Sequence, residues 1–128
     1  MRFRTLREIQ ENLFNGTISV QEIVEHYLKQ IEKRKSLNAF IEVWAEEALV
    51  KSREIQERIK TGTAGKLAGM VIGIKDNICY SNHGVSASSK ILSKFKSLYN
   101  STVVERLLKE DAIIIGRLNC DEFAMGSS

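Results

Sequence analysis

The sequence predicts an α/β domain, and three observations predict it. Residues 70–74, Met70-Val71-Ile72-Gly73-Ile74, are a short run that is almost wholly apolar. Residues 112–115, Ala112-Ile113-Ile114-Ile115, are a second such run, closed by Gly116. Runs of this length, rich in β-branched residues, read as strands of a parallel sheet covered on both faces. Between them Val103, Val104, Leu107 and Leu108 recur at helical spacing over residues 102–110. Strand, helix and strand together make a crossover unit, whose two strands need not be neighbours.

The elements before that unit are helical. Thr5-Leu6-Arg7-Glu8 fits a capping box, in which a threonine and a glutamate satisfy the first free amides of a helix. Leu6, Ile9, Leu13 and Phe14 give this helix one apolar stripe, and Asn15-Gly16 ends it. Ser19-Val20-Gln21-Glu22 is a second capping box, followed by Val20, Ile23, Val24, Tyr27, Leu28 and Ile31 at helical spacing. His26 falls on the polar side, where a lone histidine reads as a surface residue. Residues 38–43 read as a short strand or an extended link. Residues 44–60 return to helical spacing through Ala48, Ser52, Ile55 and Ile59, a thin stripe that suits a surface helix.

Residues 61–66 read as a loop. Its Gly65-Lys66 pair resembles part of a phosphate-binding loop. That motif needs four residues between its glycines and a Ser or Thr after the lysine, whereas here two residues separate Gly62 from Gly65 and Leu67 follows. From Lys75 to Ser101 some 25 residues show no clear period, and loops of that length tend to be functional. The stretch 81–101 holds seven serines, read as solvated turn residues, and His83 before Gly84 reads as a turn residue. Thr102-Val103-Val104-Glu105 is a third capping box. Asp121-Glu122-Phe123-Ala124-Met125 reads as a short helix or ordered loop, with Phe123 as its anchor.

Composition sets limits. The chain has 128 residues with 43% hydrophobic content, enough for one domain with a core. A net charge of +3 permits a nucleic-acid partner without arguing for one. Cys79 and Cys120 lack metal-ligand spacing and read as free thiols in a reducing compartment. No run approaches the ~18 apolar residues of a membrane span. The first residues lack the apolar core of a signal peptide, so a cytoplasmic protein is expected.

The candidate site is the end of the 70–74 strand. Ligands of open α/β sheets bind outside the carboxyl ends of the strands, and there the sequence places Lys75-Asp76-Asn77. A lysine whose stem is shielded by a sheet gives up its proton more readily, which makes the amine a usable base. The other reading of the same residue is an ordinary solvated lysine at a strand end.

Leu67-Ala68-Gly69-Met70, Ile74-Lys75-Asp76-Asn77-Ile78-Cys79, Ser89-Lys90-Ile91-Leu92, Thr102-Val103-Val104-Glu105-Arg106-Leu107 and Asn119-Cys120-Asp121-Glu122-Phe123-Ala124-Met125-Gly126-Ser127-Ser128 occur in this order. The set resembles the amidase signature family. The Asp-Glu-Phe-Ala-Met-Gly segment is more narrowly similar to one branch of it, the A subunits of glutamyl-tRNA(Gln)/aspartyl-tRNA(Asn) amidotransferases. The likeness is weak before Leu67 and strong after it. The family carries a proline between Gly-Met and the strand; here Val71 stands there, and the chain has no proline at all.

The resemblance implies an amidase-signature fold, a mixed sheet flanked by helices, of which only the amino-terminal part is expected here. Residues 1–128 would be one part-domain, with 1–66 mostly helical and 67–128 holding the first core strands and the crossover helix. It implies Lys75 as the ultimate base of a serine–serine–lysine amidase; Asp76 and Asn77 are expected to orient the loop around it by hydrogen bonds, with pairing of Asp76 to a nearby lysine as the other reading. It assigns Met125, Gly126 and Ser127 to the lining of the substrate pocket. The Gly-Gly-Ser-Ser-Gly-Gly-Ser segment that carries the bridging serine is absent from these residues, as is the nucleophile. The implied reaction is release of ammonia from glutamine, for conversion of mischarged Glu-tRNA(Gln) or Asp-tRNA(Asn). The implied partners are the B and C subunits of a heterotrimeric amidotransferase. No cofactor is expected on this chain; ATP and magnesium would be used by the complex through its B subunit. Two other readings stay open: part of a free-standing amidase of small amides, or a binding module without catalysis.

Overall fold

The computed structural model describes residues 3–75, 78, 80, 83 and 100–119. Helix α1, Leu6–Phe14, starts at Thr5, whose hydroxyl accepts the Glu8 amide at 3.1 Å. Only half of the expected capping box forms, because the Glu8 carboxylate accepts the Arg4 amide instead. Ile9 and Leu13 are buried, while Phe14 is 64% exposed. Phe14 lies about 100° around the helix from Leu13, so the turn that buries Ile9 and Leu13 aims Phe14 at solvent.

Helix α2, Val20–Lys33, has the complete box: Ser19 accepts the Glu22 amide, and the Glu22 carboxylate accepts the Ser19 amide at 2.7 Å. Its Val20, Ile23 and Val24 are fully buried, each worth about 1.5–3 kcal/mol of burial. A single 3-10 turn, Lys35–Leu37, and Asn38 in the left-handed region reverse the chain into strand β1, Phe40–Val43. Helix α3, Ala45–Lys60, follows with Trp44 at its start. Its thin stripe is enough: Ala48, Ser52 and Ile55 are buried, and the helix packs on α2 and the sheet while its other faces are exposed.

Strand β2 is Val71–Lys75, helix α4 is Thr102–Lys109 and strand β3 is Ile113–Leu118. The cap of α4 is Ser101, one residue before the expected Thr102; its hydroxyl accepts the Val104 amide. Val104 is fully buried, and Val103, the next position around the helix, is half exposed. The three strands lie in the order β1-β3-β2. β3 is parallel to β2 and antiparallel to β1, so the sheet is mixed and the crossover strands are direct neighbours. The β2–β3 register runs from Val71↔Ile113 to Lys75↔Leu118. Ile115 is an extra residue on β3, since Ile72 pairs with Ile114 and Gly73 with Gly116.

The expected burial on both faces holds for β3, whose Ile113–Arg117 are all buried, but not for β2, where only Ile74 is. β3 is the central strand, and β2 pairs with β3 alone among the described residues. β3 also runs past the expected stop at Gly116. It carries Arg117 into the sheet because Glu42 of β1 stands 3.3 Å from the guanidinium. Gly116 itself is required by that pairing, since a Cβ there would strike the Glu42 carbonyl. Alternate residues of β3 serve two cores. Ile113 and Ile115 join α1, α2 and α3, while Ile114 joins Trp44, Ile74 and Val104 on the other face.

Candidate active site

Lys75 is the last residue of β2 and pairs with Leu118, the last of β3, so the two parallel strands end together. Their shared carboxyl edge is where an open α/β sheet binds ligands. The Ile78 amide donates to the Lys75 carbonyl at 2.9 Å, a tight turn immediately after the strand. On the other strand Asn119 is tied back to β1's approach, its amide donating to the Ala39 carbonyl at 2.9 Å.

Lys75 is exposed. The shielding expected for its stem is not supplied by the described residues. Among the described residues β2 has β3 as its one strand neighbour, and by alternation Lys75 falls on the face opposite Ile72 and Ile74, which α4 and Trp44 cover. Asp76, Asn77, Met125, Gly126 and Ser127 lie outside the described residues, as do Cys79, Cys120 and Phe123.

A concavity formed by the described residues does not coincide with the lysine. A groove of about 520 Å³ opens between α2 and the sheet, lined by Tyr27, Ile31, Phe40, Val43, Val71 and Gly73 among others. Lys75 is not part of its wall. Tyr27, Ile31, Phe40 and Val71 all pack on the first core, so the groove is the unfilled flank of that core. Gln30, Glu32, Arg34, Lys35 and Glu42 also line it, and the carboxyl edge of the parallel strands stays the candidate for chemistry on topological grounds.

The Gly65-Lys66 loop is explained by the chain's own carboxylates. The Gly65 amide donates to Asp111 at 2.7 Å and the Lys66 amide to Glu110 at 2.9 Å. These acceptors stand where a phosphate loop would hold its anion, and a Cβ at Gly65 would collide with the Glu110 backbone. His26 packs edge-on to Tyr27, its neighbour on α2. His83 is more than the turn residue the sequence suggested. Its ring stacks on Tyr80, meets Trp44 edge-on and reaches Glu47. The only sequence signals for this cluster are the single tryptophan of the chain and the turn spacing of Tyr80 and His83.

Among the described residues no group of three or more His, Cys, Asp and Glu side chains is arranged to hold a metal ion. No described helix is long and apolar enough to cross a membrane.

A helical layer on a mixed sheet is a frame this chain shares with known amidases. The chain belongs to the Amidase family, whose model matches residues 22–128. Among its relatives is the A subunit of the glutamyl-tRNA(Gln) amidotransferase of Prosthecochloris aestuarii, 42% identical over all of this chain and 27% of that protein. The protein of the same name from Methanothermobacter thermautotrophicus is 48% identical over 89% of this chain and 26% of its own length. The chain thus spans about a quarter of the curated relatives it matches. Among solved structures, a bacterial aryl acylamidase of the amidase signature enzymes superposes with a TM-score of 0.85 at 26% identity, over 94% of this chain and 26% of that one. The native peptide amidase of Stenotrophomonas maltophilia does so with a TM-score of 0.84 at 26% identity, over 92% of this chain and 25% of that one.

Proposed function

We propose that this chain is the amino-terminal part of the glutamine-hydrolysing subunit of a tRNA-dependent amidotransferase, and that Lys75 is its ultimate base. The observation that carries the reading is the place of Lys75, at the carboxyl end of a strand paired in parallel with the next. The names of the most similar relatives support the choice of reaction. In this reading Lys75 takes a proton from a bridging serine, which has taken it from a nucleophilic serine; both serines come from sequence outside these residues. The nucleophile adds to the glutamine side-chain carbonyl, Lys75 returns the proton through the bridging serine to the amide nitrogen, the C–N bond breaks and ammonia leaves. Water then releases glutamate from the acyl-enzyme. Backbone amides of a glycine-rich loop hold the oxyanion. Ammonia passes to the B subunit, where ATP and magnesium activate the mischarged tRNA, and the C subunit completes the complex. Met125, Gly126 and Ser127 line the glutamine pocket.

The test is substitution of Lys75 in the whole protein. Lys75→Ala is expected to abolish glutamine hydrolysis while leaving the fold intact, and Lys75→Arg to do nearly the same. A guanidinium keeps its proton and has no lone pair to accept another. Substantial glutaminase turnover in Lys75→Arg would exclude the lysine as base. A second reading, a free-standing hydrolase of small amides, is favoured by the aryl acylamidase and peptide amidase likenesses. Turnover of aryl or peptide amides without other subunits would select it.

A further inference from the structure

β2 leaves the sheet at Lys75 with β3 as its one described neighbour, so the direction of the chain beyond it is set by what that chain grips. The grip is visible at Ile78, Tyr80 and His83. Ile78 is turned back by its bond to the Lys75 carbonyl, and both Ile78 and Tyr80 pack into the second core with Trp44. The His83 amide then donates to the Tyr80 carbonyl at 3.0 Å, a turn that folds the imidazole over the phenol. The two rings stack with centroids 3.8 Å apart and planes 7° from parallel. Trp44 meets His83 edge-on at 4.4 Å and Tyr80 at 5.5 Å. Nε2 of His83 lies 2.5 Å from the Glu47 carboxylate, and the histidine side chain is only 10% exposed.

Trp44 and Glu47 belong to the start of α3, which itself rests on β3 and α2. The cluster therefore ties Tyr80 and His83 to the helix packed on β3 and α2. Aromatic pairs of this geometry are individually modest but specific in orientation, and the His83–Glu47 bond fixes the ring in its plane. We propose that Trp44, Glu47, Tyr80 and His83 form a latch that holds Ile78 and its bond to the Lys75 carbonyl in place, with His83 as a positioning residue for the lysine. The proposal rests on the reading of Lys75 as the base. Packing alone would stabilise the fold and leave the chemistry unmoved; a positioning role has to appear in turnover.

The experiment compares His83→Ala and His83→Phe with the parent in the whole protein. It uses residue-resolved amide exchange at Ile78 and steady-state hydrolysis of glutamine, or of the amide that the parent is found to hydrolyse. In His83→Ala, Ile78 exchange is expected to accelerate by about tenfold, as a local opening no longer held by the ring stack. Its kcat should fall by about tenfold, the scale of a small misplacement near the chemistry, with KM changed less than about twofold. His83→Phe keeps a ring between Tyr80 and Trp44 and should restore both readouts to within about threefold. Unchanged Ile78 exchange in His83→Ala overturns the latch, and faster exchange with unchanged kcat overturns the positioning role. Full turnover in Lys75→Arg would instead remove Lys75 as the base and leave the exchange result to judge the latch itself.

Discussion

Tyr80 shows how one residue reports on its surroundings. Its phenol is pushed above the ordinary value of 10.0 first by burial and second by the negative charge of Glu47. Both act in the same sense, because each penalises the phenolate. Its ionisation, followed by ultraviolet absorbance and assigned by difference from Tyr80→Phe, is expected above the usual tyrosine range. Glu47→Gln should bring it part of the way back, and by the smaller share, since burial is the larger cause. The sign for stability follows. A folded-state value above the unfolded one means that the folded protein holds the proton longer, so the contribution is complete below pH 10.0 and is lost as pH rises through the folded value. Alkaline unfolding should therefore begin at higher pH in Tyr80→Phe, which has no proton to lose. A Tyr80 that titrates at the ordinary value of 10.0 would mean that the cluster around Trp44 does not form.

The connection of α4 to β3 depends on Asp111, a buried carboxylate with a positive φ of 69°. It accepts the Gly65 amide at 2.7 Å and the Arg58 guanidinium at 2.7 Å, and so ties the loop before β2 to the start of β3. Arg58 is half exposed, so the ion pair itself adds little. The amide bond and the backbone conformation matter more. Asp111→Ala strands the Gly65 amide and places a Cβ residue without a local hydrogen-bonding group in the left-handed region, at a cost of roughly 2–4 kcal/mol. Asp111→Asn tolerates the conformation, keeps an acceptor and should cost about 1 kcal/mol. Urea midpoints with an unchanged slope would measure both, and equal losses in the two variants would refute the assignment. Such elements also mark what a sequence can reveal. The helices were legible at Thr5, Ser19 and the 20–31 stripe because caps and periodicity are local, and the carboxyl-edge place of Lys75 followed from one apolar run. The half-exposed state of β2, the entry of Arg117 into β3 and the seat of His83 were not. Each depends on a partner far along the chain: β3 for β2, Glu42 for Arg117, Trp44 and Glu47 for His83. The residues expected to line the pocket, Met125, Gly126 and Ser127, lie outside the described residues, and that expectation rests on resemblance alone.

At the scale of the whole molecule, the described residues carry two cores on the two faces of β3, and the larger has an open flank. α1, α2, α3 and β3 enclose Ile9, Leu13, Val20, Ile23, Val24 and Ile55, which are all buried. The groove beside them, about 520 Å³, is lined by apolar side chains together with Gln30, Glu32, Arg34, Lys35 and Glu42, and Ile41 and Val43 of β1 are more than a third exposed there. β2 adds an outer edge that no other described strand covers. Apolar grooves and unpaired strand edges on isolated chains invite self-association. These 128 residues, expressed alone, are therefore expected to bind a hydrophobic dye such as ANS and to sediment as aggregates or loose oligomers. Amide exchange should divide along the same line. The α2 and α3 amides, which lie over the filled core, should be protected longest, and those of β2 should exchange early. Glutamine turnover should be absent, because a lysine without a serine nucleophile and an oxyanion loop cannot complete acyl transfer. A soluble monomer that excludes ANS and protects β2 as well as α2 would show that the open flank is stable by itself, and that the sheet needs no further cover.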